Sequence, residues 1–268
     1  KSILIVGCGL IGSSILRAVS EKKLFKNIFV LEKSKKNISI LKKLKIKCKI
    51  INNLSNTSNN LDFIIFCTPM SQYSNVILKI NKLVSNNTII TDVGSTKEKM
   101  IQIKNKFLDK KLQWISSHPI AGSEMSGPEY GNKNLFLNKW CVIIREKKQN
   151  IKKVGLLKKF WKKIGSNVTL MDASKHDEVF SLTSHLPHLI AYNLIKTAQN
   201  SKKMQKKNFL KFSAGGLRDF SRIAASNEIM WRDIFFSNDN IIKSIDLFSK
   251  NLNFFKKLIK NKNNKKML

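Results

Sequence analysis

Apolar residues come in short unbroken runs through the first half of the chain, and several of the stretches between them place apolar side chains at helical spacing (Ile38, Leu41, Leu44). Residues 3–6, 28–31, 49–51, 63–67 and 88–91 read as strands. Strands rich in Ile and Val, apolar on both faces and joined by helices, must be covered on both sides. They predict an α/β architecture built on a parallel, doubly wound sheet. The runs at 114–117 and 141–144 are expected to extend that sheet.

Beyond residue 146 the pattern changes. Residues 151–164 read as a helix and 168–171 as one short strand. From 186 onward nearly everything is helical: 186–200, 206–223, 227–236 and 238–260. Two domains are therefore expected, 1–146 and 147–268, the second mostly α. Its last helix is apolar over a broad face (Ile241, Ile245, Leu247, Phe248, Leu252, Phe255, Leu258). That face is wide enough to meet more than one neighbour, a second subunit among them. Residues 261–268 read as a frayed tail.

Composition alters this picture in one respect. The 268 residues hold 50 Lys+Arg against 17 Asp+Glu, a net charge of +33. Such a surplus suits the neutralisation of phosphates. Yet the lysines are spread along the chain, no aromatic platform is interleaved with them, and they rise together with Asn and Ile. Compositional drift accounts for the charge, and nucleic acid is not the expected partner. No window approaches the roughly 18 apolar residues of a membrane helix, so no membrane association is expected. The chain enters its first strand without the pattern of a signal peptide. Cys8, Cys48, Cys67 and Cys141 show no metal or redox spacing and read as reduced, mostly buried thiols. A cytoplasmic protein is expected.

The chemistry-bearing motifs gather where the strands end. Gly7, Gly9 and Gly12, with Cys8, Leu10 and Ile11 between them, follow the first strand and open a helix. Gly7 would permit the tight turn, Gly9 the close approach of a pyrophosphate, and Gly12 the packing of helix on strand. Glu32 ends the second strand, where a carboxylate can accept hydrogen bonds from a ribose 2′-hydroxyl and repel a 2′-phosphate. NAD is the expected cofactor. Lys33, Lys35 and Lys36 soften the exclusion of NADP, which stays open. Thr68 and Pro69 leave the fourth strand, either as cofactor contacts or as a plain turn. Asp92 and Ser95 leave the fifth, with Ser95 either facing the ligand or capping a helix that begins near Thr96. His118 sits on a Gly-containing loop at the same end, where an imidazole can take or share a proton near neutral pH. Ser184, His185 and His188 begin a helix. His176 and Asp177 lie close enough in sequence to raise a metal site, but the firmer spacing of one is missing and no metal is expected. Arg218 and Arg222 share a helix face, and either can clamp a carboxylate in forked geometry. Trp231 would lie roughly 2.5 turns further on if that helix were continuous, as core or as site.

Taken together, GCGLIGSS, DVGSTK, HPIAGSEMSG, KHDEVFSLTSHLPHLIA, GGLRDFSRIA and MWRDI resemble the prephenate/arogenate dehydrogenase family of tyrosine biosynthesis, in order and over nearly the whole chain. The resemblance implies a Rossmann domain followed by an all-α domain that dimerises. It implies oxidative decarboxylation of prephenate or arogenate with NAD(P), prephenate and NAD being the favoured pair. It further implies that His118 is the catalytic group and that Ser95 holds the reacting hydroxyl. Arg222 would grip a substrate carboxylate, with Ser184, His188, Glu124, Gly215 and Trp231 around the substrate. Thr96 stands where the family commonly has Val, Ser13 where it has Gly, and Ile144 with Arg145 where Thr-Pro is usual. No chorismate mutase segment or regulatory ACT domain is expected, while direct competition by tyrosine stays open. A basic, catalytically silent nucleotide- or nucleic-acid-binding protein is the alternative of a different class.

Overall fold

The computed structural model describes residues 1–54, 61–81, 84–201 and 212–262. The chain forms two compact units, residues 1–176 with 226–233, and residues 177–225 with 234–268.

Five strands of the first unit make one parallel sheet: β1 (Ser2–Val6), β2 (Asn27–Leu31), β3 (Lys49–Ile51), β4 (Phe63–Phe66) and β5 (Ile89–Asp92). Their order is β3-β2-β1-β4-β5. The unbroken apolar runs follow from burial on both faces. Ile3, Ile5, Ile28, Val30, Phe63 and Ile65 enter one core. Leu4, Val6, Phe29, Leu31, Ile64 and Phe66 enter the other. Successive side chains of a strand point to opposite sides, so each strand feeds two cores at once. α1 (Leu10–Glu21) adds Ile15, Leu16 and Val19 to the first core, and α5 (Ile151–Lys163) adds Leu157, Phe160 and Trp161. α3 (Tyr73–Ile80) adds Tyr73, Val76, Ile77 and Ile80 to the second, and α4 (Glu98–Phe107) adds Met100. α2 (Lys35–Lys43) begins at Ser34, whose hydroxyl accepts from the Asn37 N–H. The strand order turns back between β1 and β4, which opens a crevice at their carboxyl ends.

The later runs do not extend the main sheet. β6 (Ser117–Pro119), β7 (Trp140–Ile144) and β8 (Asn167–Met171) form a separate three-stranded sheet, β6 antiparallel to β7 and β7 parallel to β8. Trp114 contributes a single parallel bridge to Ile90, so the strand begins at Ser117 and His118 lies within it, not on the loop behind it. The boundary expected at 146/147 is also displaced. β8 pairs along its whole length with β7, and α5 buries Trp161 in the first core, so residues 147–176 belong to the first unit.

The second unit is helical. α6 (Ala173–Phe180), which the sequence pattern did not suggest, runs into a π-helical turn at Ser181–His185. α7 (Leu186–Asn200), α8 (Gly215–Ala224), α9 (Glu228–Ser237) and α10 (Asn240–Lys260) follow. Residues 206–211 of the helix expected at 206–223, and 263–268 of the expected tail, lie outside the described residues. A break at 225–227 puts Trp231 on α9 and Arg222 on α8, so the two do not share one continuous helix. Ser226–Asp233 is grouped with the first unit. Among the described residues no helix is long and apolar enough to cross a membrane.

Candidate active site

The glycines of the first turn have separate reasons for being there. Gly7 holds φ +84°, and a Cβ on it would lie 2.6 Å from Thr68 Cγ2. A Cβ on Gly12 would overlap the Gly7 carbonyl oxygen, so α1 could not dock. Gly9 faces open space, and as the N-cap of α1 it brings no side chain to the helix end. No acidic residue occupies the first turn. Uncapped N–H groups at the positive end of a helix dipole favour a phosphate. Leu10 and Ile11 are half-buried beside this turn.

Glu32 is buried at the end of β2, and its carboxylate accepts four hydrogen bonds. Cys8 N–H (3.0 Å) and Asn37 Nδ2 (3.2 Å) reach Oε2, while Lys33 N–H (2.8 Å) and Ser34 N–H (2.9 Å) reach Oε1. Glu32 thereby ties the glycine turn to β2 and is oriented by the protein itself. Asn37 was not singled out from the sequence. Its signal was the capping position three residues after Ser34. Thr68, half-buried after β4, has its hydroxyl oxygen buried without a hydrogen-bond partner among the described residues. Such an orphan at the crevice fits a polar ligand atom. Pro69 is exposed beside it. The turn, the bare helix end and the orphaned hydroxyl fit a dinucleotide.

Asp92 does not fit the cofactor role expected of it. It is 0% exposed. Oδ2 accepts from Lys97 Nζ (2.6 Å) and Gly94 N–H (2.9 Å), and Oδ1 from Trp114 Nε1 (3.0 Å). Fully buried and ion-paired to Lys97, the side chain presents no surface to a ligand, so it supports the site from behind. Lys97 also donates to the Ser117 carbonyl (2.7 Å). The Ser117 hydroxyl donates to the Asp92 carbonyl (2.7 Å) and accepts from Trp161 Nε1 (3.2 Å). With that proton committed, the Thr91 hydroxyl at 2.9 Å must be a donor to Ser117 Oγ. The end of β5, β6 and α5 are thus fastened together directly behind His118.

His118 is 8% exposed on β6, and its Nδ1 lies 2.9 Å from His176 Nε2. Ser95 is half-buried, but it is not a cap: α4 starts at Glu98 with Lys97 before it. Thr96 is buried and donates its hydroxyl to Met70 Sδ (3.2 Å). Glu124 is half-buried on the loop after β6. Trp231 is 6% exposed.

In the second unit, His188 Nδ1 lies 2.9 Å from the Ser184 carbonyl, which can only accept. Nδ1 therefore carries the proton, and Nε2 of the neutral ring is an acceptor. Asn238 Oδ1 accepts from Asn240 N–H (3.1 Å), so its amide nitrogen donates to the Asp177 carbonyl (2.8 Å) and to His185 Nδ1 (3.1 Å). His185 is thereby fixed with Nδ1 as acceptor. Arg222, Arg218 and Gly215 are exposed on α8, and Arg218 borders a cavity of about 410 Å³ with Ile195, Gln199 and Ser221. Among the described residues no group of three or more His, Cys, Asp or Glu could hold a metal.

Burial pushes the His188 pKa below its ordinary 6.5, against the opposing pull of the Ser184 carbonyl. The folded state therefore binds fewer protons than the unfolded chain in the window just below pH 6.5. The resulting stability is present above that pH and is lost as pH falls through the folded pKa. Urea unfolding across this window should show stability rising with pH, with a shallower slope for His188→Gln. Equal slopes would remove His188 from the linkage.

Fold and site together define a dinucleotide-dependent oxidoreductase. Comparison with known proteins narrows the class. A family model described as "Prephenate dehydrogenase, nucleotide-binding domain" matches residues 15–170, and "Prephenate dehydrogenase, dimerization domain" matches 172–268. The chain belongs to the prephenate dehydrogenase family. It is 31% identical over 238 residues to a cyclohexadienyl dehydrogenase of Zymomonas mobilis, covering 89% of this chain and 81% of that one. It is 31% identical over 250 residues to a prephenate dehydrogenase of Bacillus subtilis, covering 91% and 66%. A crystal structure of prephenate dehydrogenase from Aquifex aeolicus, in complex with hydroxyphenyl propionate and NAD+, superposes with a TM-score of 0.91 at 32% identity, over 100% of this chain and 93% of that one.

Proposed function

We propose that this chain converts prephenate to 4-hydroxyphenylpyruvate and CO2 with NAD as its cofactor. The observation that carries the reading is the buried imidazole of His118, held on β6 by the Ser117 bonds to the end of β5 in the unit that carries the glycine turn. Bound NAD+ supplies the hydride acceptor. His118 takes the proton of the ring hydroxyl as the C4 hydride departs, which keeps positive charge from building on the forming carbonyl. Loss of the ring carboxylate as CO2 restores aromaticity, and the same oxygen regains a proton. Ser95 holds that hydroxyl in register with His118. The Gly7, Gly9 and Gly12 turn binds the pyrophosphate, with Leu10 and Ile11 beside it. Glu32, with its carboxylate already oriented, selects a ribose 2′-hydroxyl over a 2′-phosphate, and Thr68 and Pro69 border the nucleotide.

Arg222 supplies the guanidinium for a substrate carboxylate. Arg222→Ala should mainly raise the KM for prephenate, by the loss of a charge-assisted clamp worth about 2–4 kcal/mol. An unchanged KM would move that role to Arg218. Ser184, His188, Gly215 and Trp231 complete the substrate contacts.

Arogenate is the second reading. The half-buried Glu124 carboxylate suits its ammonium, and a relative carries the cyclohexadienyl name. The deciding measurement is kcat/KM for prephenate and for arogenate, each with NAD+ and NADP+. Prephenate with NAD+ should lead, and absence of turnover with both acids would overturn the assignment.

Ile242, Leu247, Leu252, Phe254, Phe255 and Ile259 are exposed along α10, within the residues matched by the dimerization model. A monomeric soluble chain rarely shows so much apolar surface on one helix. A homodimer through this face is expected, and light scattering giving a monomer mass would refute it. The four free cysteines, two of them buried, suit a cytoplasmic setting.

A further inference from the structure

We propose that His176 is a positioning residue that selects the tautomer of His118. The inference rests on the reading of His118 as the group that takes the ring hydroxyl proton. His118 Nδ1 and His176 Nε2 lie 2.9 Å apart. The ring centroids are 5.1 Å apart and the planes meet at 60°. Both side chains are buried, His176 completely.

One proton lies between those two nitrogens, because a neutral imidazole has a single N–H and two donors cannot share the contact. His118 accepts a substrate proton at Nε2 only if Nδ1 carries the hydrogen. His176 must then present the lone pair of Nε2 and hold its own proton on Nδ1. This is the orienting task that a carboxylate performs behind the histidine of an acyl-transfer triad. Here an imidazole stands in the carboxylate's place. The backbone supports the arrangement: the His176 N–H donates to the Asp172 carbonyl (2.9 Å), which anchors the ring in the first turn of α6. Ser117 and its bonds to the end of β5 anchor the other ring on β6.

The test separates an acceptor from a space-filler. His176→Gln retains an oxygen that can accept from His118, and His176→Leu fills the volume without one. The leucine variant should lose up to about 10²-fold in kcat, the cost of a misdirected reacting group, with KM for prephenate and NAD+ nearly unchanged. The glutamine variant should recover most of that loss. A mere packing role predicts the reverse order, since a buried glutamine fits an apolar site worse than leucine. Equal losses in both variants, or none in either, overturn the proposal. Imidazole 15N correlation spectra of the unaltered protein decide the matter even if the leucine variant does not fold. His118 should appear as the Nδ1–H form, and an Nε2–H form overturns the proposal. Turnover of prephenate by the unaltered enzyme tests the functional reading independently. If it fails, the tautomer result still stands or falls by itself.

Discussion

Replacement of His118 with asparagine should lower kcat by roughly 10²–10⁴, the span that a positioned acid–base group contributes. The substitution keeps a small polar side chain on β6 but removes the only kind of group there that exchanges a proton near neutral pH. NAD+ affinity should hardly change, because the glycine turn, Glu32 and Thr68 are built from β1, β2 and β4, while His118 is on β6. Initial rates of NADH appearance with prephenate, alongside an NAD+ titration, measure both quantities. Near-normal kcat would remove His118 from the chemistry. A parallel loss of NAD+ affinity would instead point to damage spreading through the Ser117 contacts.

The second large effect concerns stability. Lys97 and Asp92 form an ion pair with both side chains fully buried. Lys97→Met leaves the carboxylate in the interior without its cation and should cost about 3–5 kcal/mol. That is a large share of the roughly 5–15 kcal/mol by which a folded protein exceeds its unfolded chain. Adding Asp92→Asn to the same protein removes the stranded charge, and the amide oxygen can still accept from Gly94 or Trp114. The double variant should therefore be more stable than Lys97→Met alone, an interaction that urea unfolding of the two singles and the double will resolve. A single-variant cost below about 1 kcal/mol, typical of an exposed pair, would contradict the burial argument.

The features legible in the sequence share a physical cause. β1, β2 and β4 were visible because both faces of each are buried, which leaves an unbroken apolar run. The glycine turn was visible because Gly7, Gly9 and Gly12 answer three different steric demands that few other arrangements impose together. The second sheet was obscure because β6 is three residues long, too short to show a period, and pairing direction leaves no trace in composition. The boundary was misplaced because the Lys-rich α5 looks like the start of a helical domain, although β8 then returns to β7. Asp92 looked like a ligand contact because a carboxylate at a strand end usually has solvent or substrate before it. Its partner Lys97 was lost among many surface lysines. His176 was weighed only as a metal ligand, since 58 residues separate it from His118 and nothing along the chain announces their contact.

The return of Ser226–Asp233 to the first unit has a practical bearing on how the molecule can be dissected. Asp233 accepts a hydrogen bond from the Ser71 N–H at 3.4 Å, so this octet belongs by contact to a body from which it is remote in sequence. No single scission can therefore release two whole halves. A fragment stopping at 176 forfeits the octet, and one starting at 177 carries it away as an orphan. Recombinant dissection of this enzyme must either keep the polypeptide intact or supply the missing peptide in trans.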